Sequence, residues 1–364
     1  MPPTSLPPAE RSEVVLHVGM GKTGTSSLQA MLHHNRAGLV ERGVLYPASP
    51  GRRRHLRLGL AMQSEDRTPP MSLDWRRQQV STPAELRPLF EDQLFAELAA
   101  ARAPRLLFSD EALFGSTDDG IRNLRDLMDR IATTVRVVVY LRRQDDHLAS
   151  RYQQEVKRAG EVRRLAARLD QADFSHKYDY HARLRAWRAL MHPDAIVVRA
   201  FEPERFADGS LARDFLEATG LGIRPDELDA GPVRNESVDA ESVEFLRILN
   251  LHRRDQPGEI PGLMAHNRIL RRLERTATGP TLTLPDERLD AFMSLWEDSN
   301  RAVARDFLDD AGALFANPRK TRNTTTEQLL DPARLDHFSE LLELPSELLV
   351  PLRRIAEREA AHPG

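Results

Sequence analysis

Hydrophobic and polar positions follow two periods along the chain. Short β-branched or apolar runs stand at 13–19 (EVVLHVG), 104–110 (PRLLFSD), 134–142 (TVRVVVYLR) and 194–202 (DAIVVRAFE), with a shorter one in GVLYP at 43–47. The run at 134–142 is the clearest buried strand, apolar on both faces. Between these runs the apolar residues recur at helical spacing, as in Leu28, Met31, Leu32 and Leu39 of the segment 25–43, which Gly43 closes as a C-cap. The same spacing predicts helices over 82–102, 118–132, 144–160, 180–191 and 211–221, and a short one within RHLRLGLAMQ at 54–63. Thr82 and Pro83 open the helix at 82 with a cap and a first-turn proline. Strands alternating with helices predict an α/β fold with a parallel sheet core flanked by helices.

Past about residue 236 the strand signal ends. Helical runs continue at 242–254, 260–273, 285–315 and 345–361. The expected organisation is a disordered leader over 1–12, an α/β core over 13–236, and an all-helical C-terminal extension over 237–364 packed on the core.

Composition narrows the class. The chain has 364 residues, 40% hydrophobic and 29% charged, with a formal net charge of -3. That balance is ordinary for a globular protein and provides no overall basic field for nucleic acid. Cysteine is absent, which removes disulfides, thiolate nucleophiles and cysteine metal sites. The proline-rich N-terminal stretch lacks an apolar signal core, and no apolar run is long enough to span a membrane. The expectation is a cytoplasmic protein with no membrane span. Only four of the 52 basic residues are lysines: Lys22, Lys157, Lys177 and Lys320.

Lys22 stands in the stretch carrying the strongest chemical signal, VVLHVGMGKTGTSSLQ at 14–29. A β-run, a glycine-rich loop and a helix start follow one another there, the setting in which backbone N–H groups and the helix dipole meet an anion. Gly21 and Gly24 let the backbone approach a phosphate, Thr23, Thr25, Ser26 and Ser27 supply N–H and hydroxyl groups, and Lys22 supplies charge. The spacing is not that of the usual triphosphate loop, in which the lysine follows four free positions and a glycine. Here Lys22 comes three residues after Gly19, and the hydroxyl run follows it. A second element lies about 120 residues on, in VRVVVYLRRQDDHLASRYQQEVK. Arg142 ends the strand, and Ser150 lies eight residues further on the next helix; an arginine fork and a short hydroxyl suit one phosphate gripped from two sides. Arg143 is the alternative to Arg142.

The stretch HVGMGKTGTSSLQ resembles the 5′-phosphosulfate loop of the sulfotransferases that use 3′-phosphoadenosine 5′-phosphosulfate (PAPS), above all bacterial members reading H-x-G-x-x-K-T-G-T-[TS]-x-L-Q. In that family a strand-end arginine and a serine eight residues later hold the 3′-phosphate, as Arg142 and Ser150 would. At the level of element order the resemblance spans about residues 13–250. It implies transfer of the sulfuryl group to an acceptor hydroxyl, carbohydrate or small metabolite favoured, with release of 3′-phosphoadenosine 5′-phosphate (PAP) and no metal. Residues 21–27, Arg142 and Ser150 would bind PAPS, Arg234 would add a contact to the 3′-phosphate, and Lys22 would neutralise charge on the leaving oxygen.

The acceptor hydroxyl needs a general base, which the family supplies as glutamate or histidine. Glu111, in LLFSDEALFG, is the first candidate, with Asp110 beside it and His55, in RRRHLRLGLAM, as runner-up. His17 reads as a packed strand residue. The basic cluster GRRRHLR at 51–57 reads either as a solvated loop or as a grip on an anionic acceptor. Two rivals stay open: a small-molecule kinase using ATP and Mg²⁺, with LLFSDE as its acidic strand end, and a catalytically inactive nucleotide-binding module.

Overall fold

The structure is a computed structural model that describes residues 5–65, 80–158, 160–171, 173–229, 238–256, 263–308, 312–324 and 326–362. The described residues fall into two compact units. The first draws on Met1–Arg142, Phe174–Val233 and Trp296–Asn317; the second draws on Arg143–Asp173, Arg234–Leu295 and Pro318–Gly364. The units therefore interleave along the chain, whereas the sequence pattern had suggested a single boundary near 236.

The first unit holds the sheet: β1 (Ser12–His17), β2 (Val44–Leu45), β3 (Arg105–Ser109), β4 (Ala132–Leu141) and β5 (Ala195–Ala200). The order is β2-β3-β1-β4-β5, and every pairing is parallel. Parallel neighbours need long crossovers, which the intervening helices provide. Val15, Leu107, Val138 and Tyr140 face one apolar cluster with Leu28, Leu32 and Phe215 from the helices Thr25–His34 and Leu211–Thr219. The alternate residues Val14, Leu16, Leu106, Phe108, Val137 and Val139 are equally buried. Side chains alternate across a strand, so both faces of the sheet are covered, as the apolar run at the end of β4 predicted. Each fully buried Val, Leu or Phe contributes about 1.5–3 kcal/mol.

Chain order reverses around β1, which has β3 on one side and β4 on the other. In an open parallel sheet, the carboxyl ends at such a switch point form a crevice. The loop 18–24, Asp110 and Arg142 all follow the carboxyl ends of these three strands.

Local structure departs from the periodic reading in three places. The segment 25–43 is two helices, Thr25–His34 and Arg36–Glu41, because the Asn35 side chain turns back to the Met31 carbonyl at 2.8 Å and also donates to the Asp229 carbonyl at 3.0 Å. The run 285–315 contains Asp286–Ser294 and Glu297–Phe307, divided at Leu295–Trp296. In the N-terminal stretch expected to be a disordered leader, Leu6 is buried and its N–H donates to the Arg130 carbonyl at 3.0 Å. The helix Pro83–Ala101 forms as expected, and Thr82 and Glu85 close a full capping box.

In the second unit the described elements are helices, with a buried ionic centre. Arg247 donates to both carboxylate oxygens of Glu244 (2.8 and 2.6 Å) and to Glu359 (2.8 Å). Among the described residues, no helix is long and apolar enough to cross a membrane.

Candidate functional site

The loop after β1 is held by its own backbone and by three neighbours. Val18 N–H donates to the Val138 carbonyl, and the Thr23 hydroxyl donates to the Met20 carbonyl at 2.5 Å. Lys22 has φ of 69°, left-handed backbone that L-residues rarely adopt. The Arg142 guanidinium donates from Nη1 to the Lys22 carbonyl at 2.8 Å, across 120 residues of sequence. Arg142 is itself held by Tyr180, whose hydroxyl donates to the Arg142 carbonyl at 2.7 Å and also lies 3.2 Å from Met20 Sδ. The strand-end arginine is thus a strut of the loop as well as a cation beside it.

Gly24 is the N-cap of the helix Thr25–His34, at φ of 73° and with no side-chain cap over the first turn. A Cβ there would lie 2.2 Å from Leu211 Cδ2. The left-handed backbone is what calls for glycine there, and any added Cβ would also push the Leu211 methyl aside. Ser26 and Ser27 are exposed in that first turn, while Thr23 and Thr25 are buried. Gly21 lies opposite Glu111: a Cβ on it would sit 3.9 Å from Glu111 Cγ.

Glu111 follows β3 and is clamped from two sides. Arg54 Nη1 lies 3.1 Å from Oε1, and Gln29 donates from Nε2 to Oε2 at 3.0 Å. Arg54 also donates from Nε and Nη2 to Asp110 Oδ1, at 2.9 and 2.8 Å. Asp110 is fully buried, and burial pushes its carboxyl above the usual carboxylate range against the opposing pull of Arg54. The segment 51–57 is consequently no solvated loop at its centre. Gly51, at φ of 142°, makes a turn in which any Cβ would lie 2.1 Å from the Arg54 carbonyl oxygen, and that turn carries Arg54 to the two carboxylates. Arg53 donates to the Ser26 carbonyl at 2.8 Å.

The two histidines weighed for this region are sealed inside. His17 and His55 are both wholly buried. His55 Nδ1 accepts the Ser109 N–H at 3.1 Å, and its ring lies against Tyr46 and Phe108. His17 Nδ1 shares a hydrogen bond with Ser109 Oγ at 2.8 Å, and its ring meets Phe215 edge-on. Burial pushes each imidazole down to about 3; for His55 the nearby Arg36 charge adds to this. Histidine in the unfolded chain titrates near 6.5. A folded-state value below the unfolded one means that stability is complete above about pH 6.5 and is lost as the pH falls toward 3, because the unfolded chain takes up protons first. Each histidine removes about 2 kcal/mol by pH 5, so the pair removes about 4 kcal/mol. Urea titrations at pH 7 and pH 5 measure this directly, and His55→Gln should recover about half of the loss. A urea midpoint that does not move between those two values would contradict it.

The structure brings Gly21 through Ser27, Lys22, Arg142, Asp110 and Glu111 into the first unit, at the carboxyl ends of β1, β3 and β4. Ser150 lies half-buried on the helix Gln144–Arg158 of the second unit. Arg143, the alternative to Arg142, also belongs to the second unit and chelates Asp145 at 3.1 and 3.0 Å. Arg234 lies outside the described residues. Sequence reasoning missed Gln29 and the specific part of Arg54. Gln29 stood in the loop motif with no role attached, and Arg54 was one arginine among several.

No family model matches the chain. It is similar to a protein of Archaeoglobus fulgidus described as uncharacterized, at 25% identity over 255 residues, 70% of this chain. The chain spans 63% of the length of that relative. Among solved structures, it is similar to a sulfotransferase from Alicyclobacillus acidocaldarius at 14% identity and a TM-score of 0.38, over 66% of this chain and 94% of that one.

Proposed function

We propose that the protein is a PAPS-dependent sulfotransferase acting on the hydroxyl of a carbohydrate or small metabolite. The observation that carries this reading is the early lysine of the loop in its setting. Lys22 is held in left-handed backbone by Arg142, between an uncapped helix start and a clamped glutamate. A loop that places its cation before the hydroxyl run suits a ligand whose charge develops at the loop's entrance, as on the bridging oxygen of a phosphosulfate.

Residues 21–27 would hold the 5′-phosphate through backbone N–H groups, with Arg142 toward the 3′-phosphate. The acceptor oxygen attacks sulfur, the bond from sulfur to the bridging phosphate oxygen breaks, and PAP leaves with that electron pair. Lys22 neutralises the leaving oxygen, and Glu111 takes the acceptor's proton. We assign the base to Glu111 rather than His55 or Asp110. Those two are wholly buried, and Asp110 is already paired with Arg54. The kinase reading would turn Asp110 toward a metal-bound triphosphate and needs Arg54 to release it.

A thermal-shift panel separates the readings. PAP at 100 times its dissociation constant stabilises the folded state by about 2.7 kcal/mol, which raises the midpoint by about 3–4 °C in a chain of this length. The expected result is a shift with PAP that Mg²⁺ does not change and that Arg142→Ala removes. A shift with ATP and Mg²⁺ but none with PAP would replace this reading by a kinase, and no shift with either would leave a module that has lost its ligand.

A further inference from the structure

The two ends of the motif HVGMGKTGTSSLQ meet in space beneath the loop. His17 opens it on β1, and Gln29 closes it on the helix Thr25–His34. Both reach Ser109, the last residue of β3, which is paired in register with His17. His17 Nδ1 lies 2.8 Å from Ser109 Oγ; Gln29 Nε2 lies 3.3 Å from the same Oγ and 3.5 Å from the Ser109 carbonyl oxygen. The remaining reach of the Gln29 amide is to Glu111 Oε2, at 3.0 Å. These atoms fix which way the amide points. Nitrogen faces a carbonyl and a carboxylate, both acceptors, so the flipped amide would set oxygen against oxygen. Gln29 is 3% exposed, so water does not offer its amide an alternative partner.

We infer that Gln29 is a positioning residue for the general base: its amide, anchored on Ser109, holds the Glu111 carboxylate in one orientation opposite Gly21. This rests on the sulfotransferase reading and deepens it. Arg54 holds Oε1 and Gln29 holds Oε2, so the carboxylate cannot rotate about its last bond without losing a partner. Each oxygen keeps an acceptor site for the proton of the incoming hydroxyl. Orientation of the base is thereby built into the loop motif itself, two residues after its last hydroxyl, Ser27.

The test is a kinetic double-mutant cycle on the full chain, following PAP release from PAPS with water as the acceptor. Gln29→Met keeps the volume and removes the donor. It should lower kcat about tenfold and leave PAP affinity within about twofold. In a Glu111→Gln background the same change should have almost no further effect, because Gln29 acts through Glu111. Ser109→Ala, a small change in the anchor, should act in the same direction with a smaller loss, and serves if Gln29→Met folds poorly. Equal losses in both backgrounds, or a loss of PAP affinity that matches the loss in kcat, would overturn the inference while leaving the sulfotransferase reading standing. Failure of the parent protein to bind PAP would overturn that reading and this inference with it.

Discussion

Lys22→Ala should lower turnover of PAPS by about a thousandfold with the fold intact. Sulfuryl transfer, like phosphoryl transfer, asks the protein mainly to position the reactants and to stabilise charge on the departing oxygen. Removing a single preorganised donor from such a site costs about 10²–10³ in kcat, and Lys22 supplies a full charge. Arginine is not an equivalent substitute, because its planar fork cannot replace a compact ammonium. Stability should run the other way. At φ of 69° any L-side chain is strained, by about 1–2 kcal/mol. Lys22→Ala retains that strain and should melt close to the parent protein. Lys22→Gly relieves it, at some cost in unfolded-chain entropy, and should be at least as stable while equally inactive. Steady-state rates paired with thermal midpoints for the two variants read both effects. Retention of more than a tenth of the turnover by Lys22→Ala would remove the lysine from the chemistry.

Glu111→Gln is expected to lower kcat by about 10²–10⁴, the range for loss of a positioned general base. The substitution keeps the shape and removes the charge and the basic oxygen. It also introduces an amide donor where Arg54 and Gln29 both already donate, so one of the two clamps must open. A stability loss of about 1 kcal/mol should accompany the kinetic loss, with PAP binding retained, because the proposed role sets the glutamate toward the acceptor and not the nucleotide. Equilibrium binding of PAP and single-turnover kinetics separate the two. Unchanged turnover in Glu111→Gln would pass the base role to another group or point to the inactive module.

The architecture was legible wherever periodicity alone determined it. β4 is apolar on both faces because both are covered, and the helix Pro83–Ala101 carries its start signal in four residues. The succession of strand, glycine-bearing loop and helix start was equally plain, since the three are contiguous in sequence. What escaped the pattern depends on partners far along the chain. The break at Asn35 uses the carbonyl of Asp229, and Arg54 is distinguished from Arg52 and Arg53 only by carboxylates 56 and 57 residues on. Gln29 was readable as helix and as motif, but its role depends on Ser109 and Glu111, which no local spacing places beside it. The dual part of Arg142, strut and cation, was likewise hidden until Lys22 was seen in left-handed backbone.

The strand order has a consequence during synthesis. β1 leaves the ribosome first, yet its partners begin at Arg105 on one side and Ala132 on the other. At about 5–20 residues per second, the central strand waits on the order of 5–25 s before both neighbours exist. Its apolar run has no local hairpin to join in the meantime, and parallel pairing over such separations is intrinsically slow. The nascent chain therefore presents an unpaired, β-prone segment for about a third of its elongation. Recombinant yield should rise at low temperature or with added holdase chaperones, even though the finished sheet is covered on both faces.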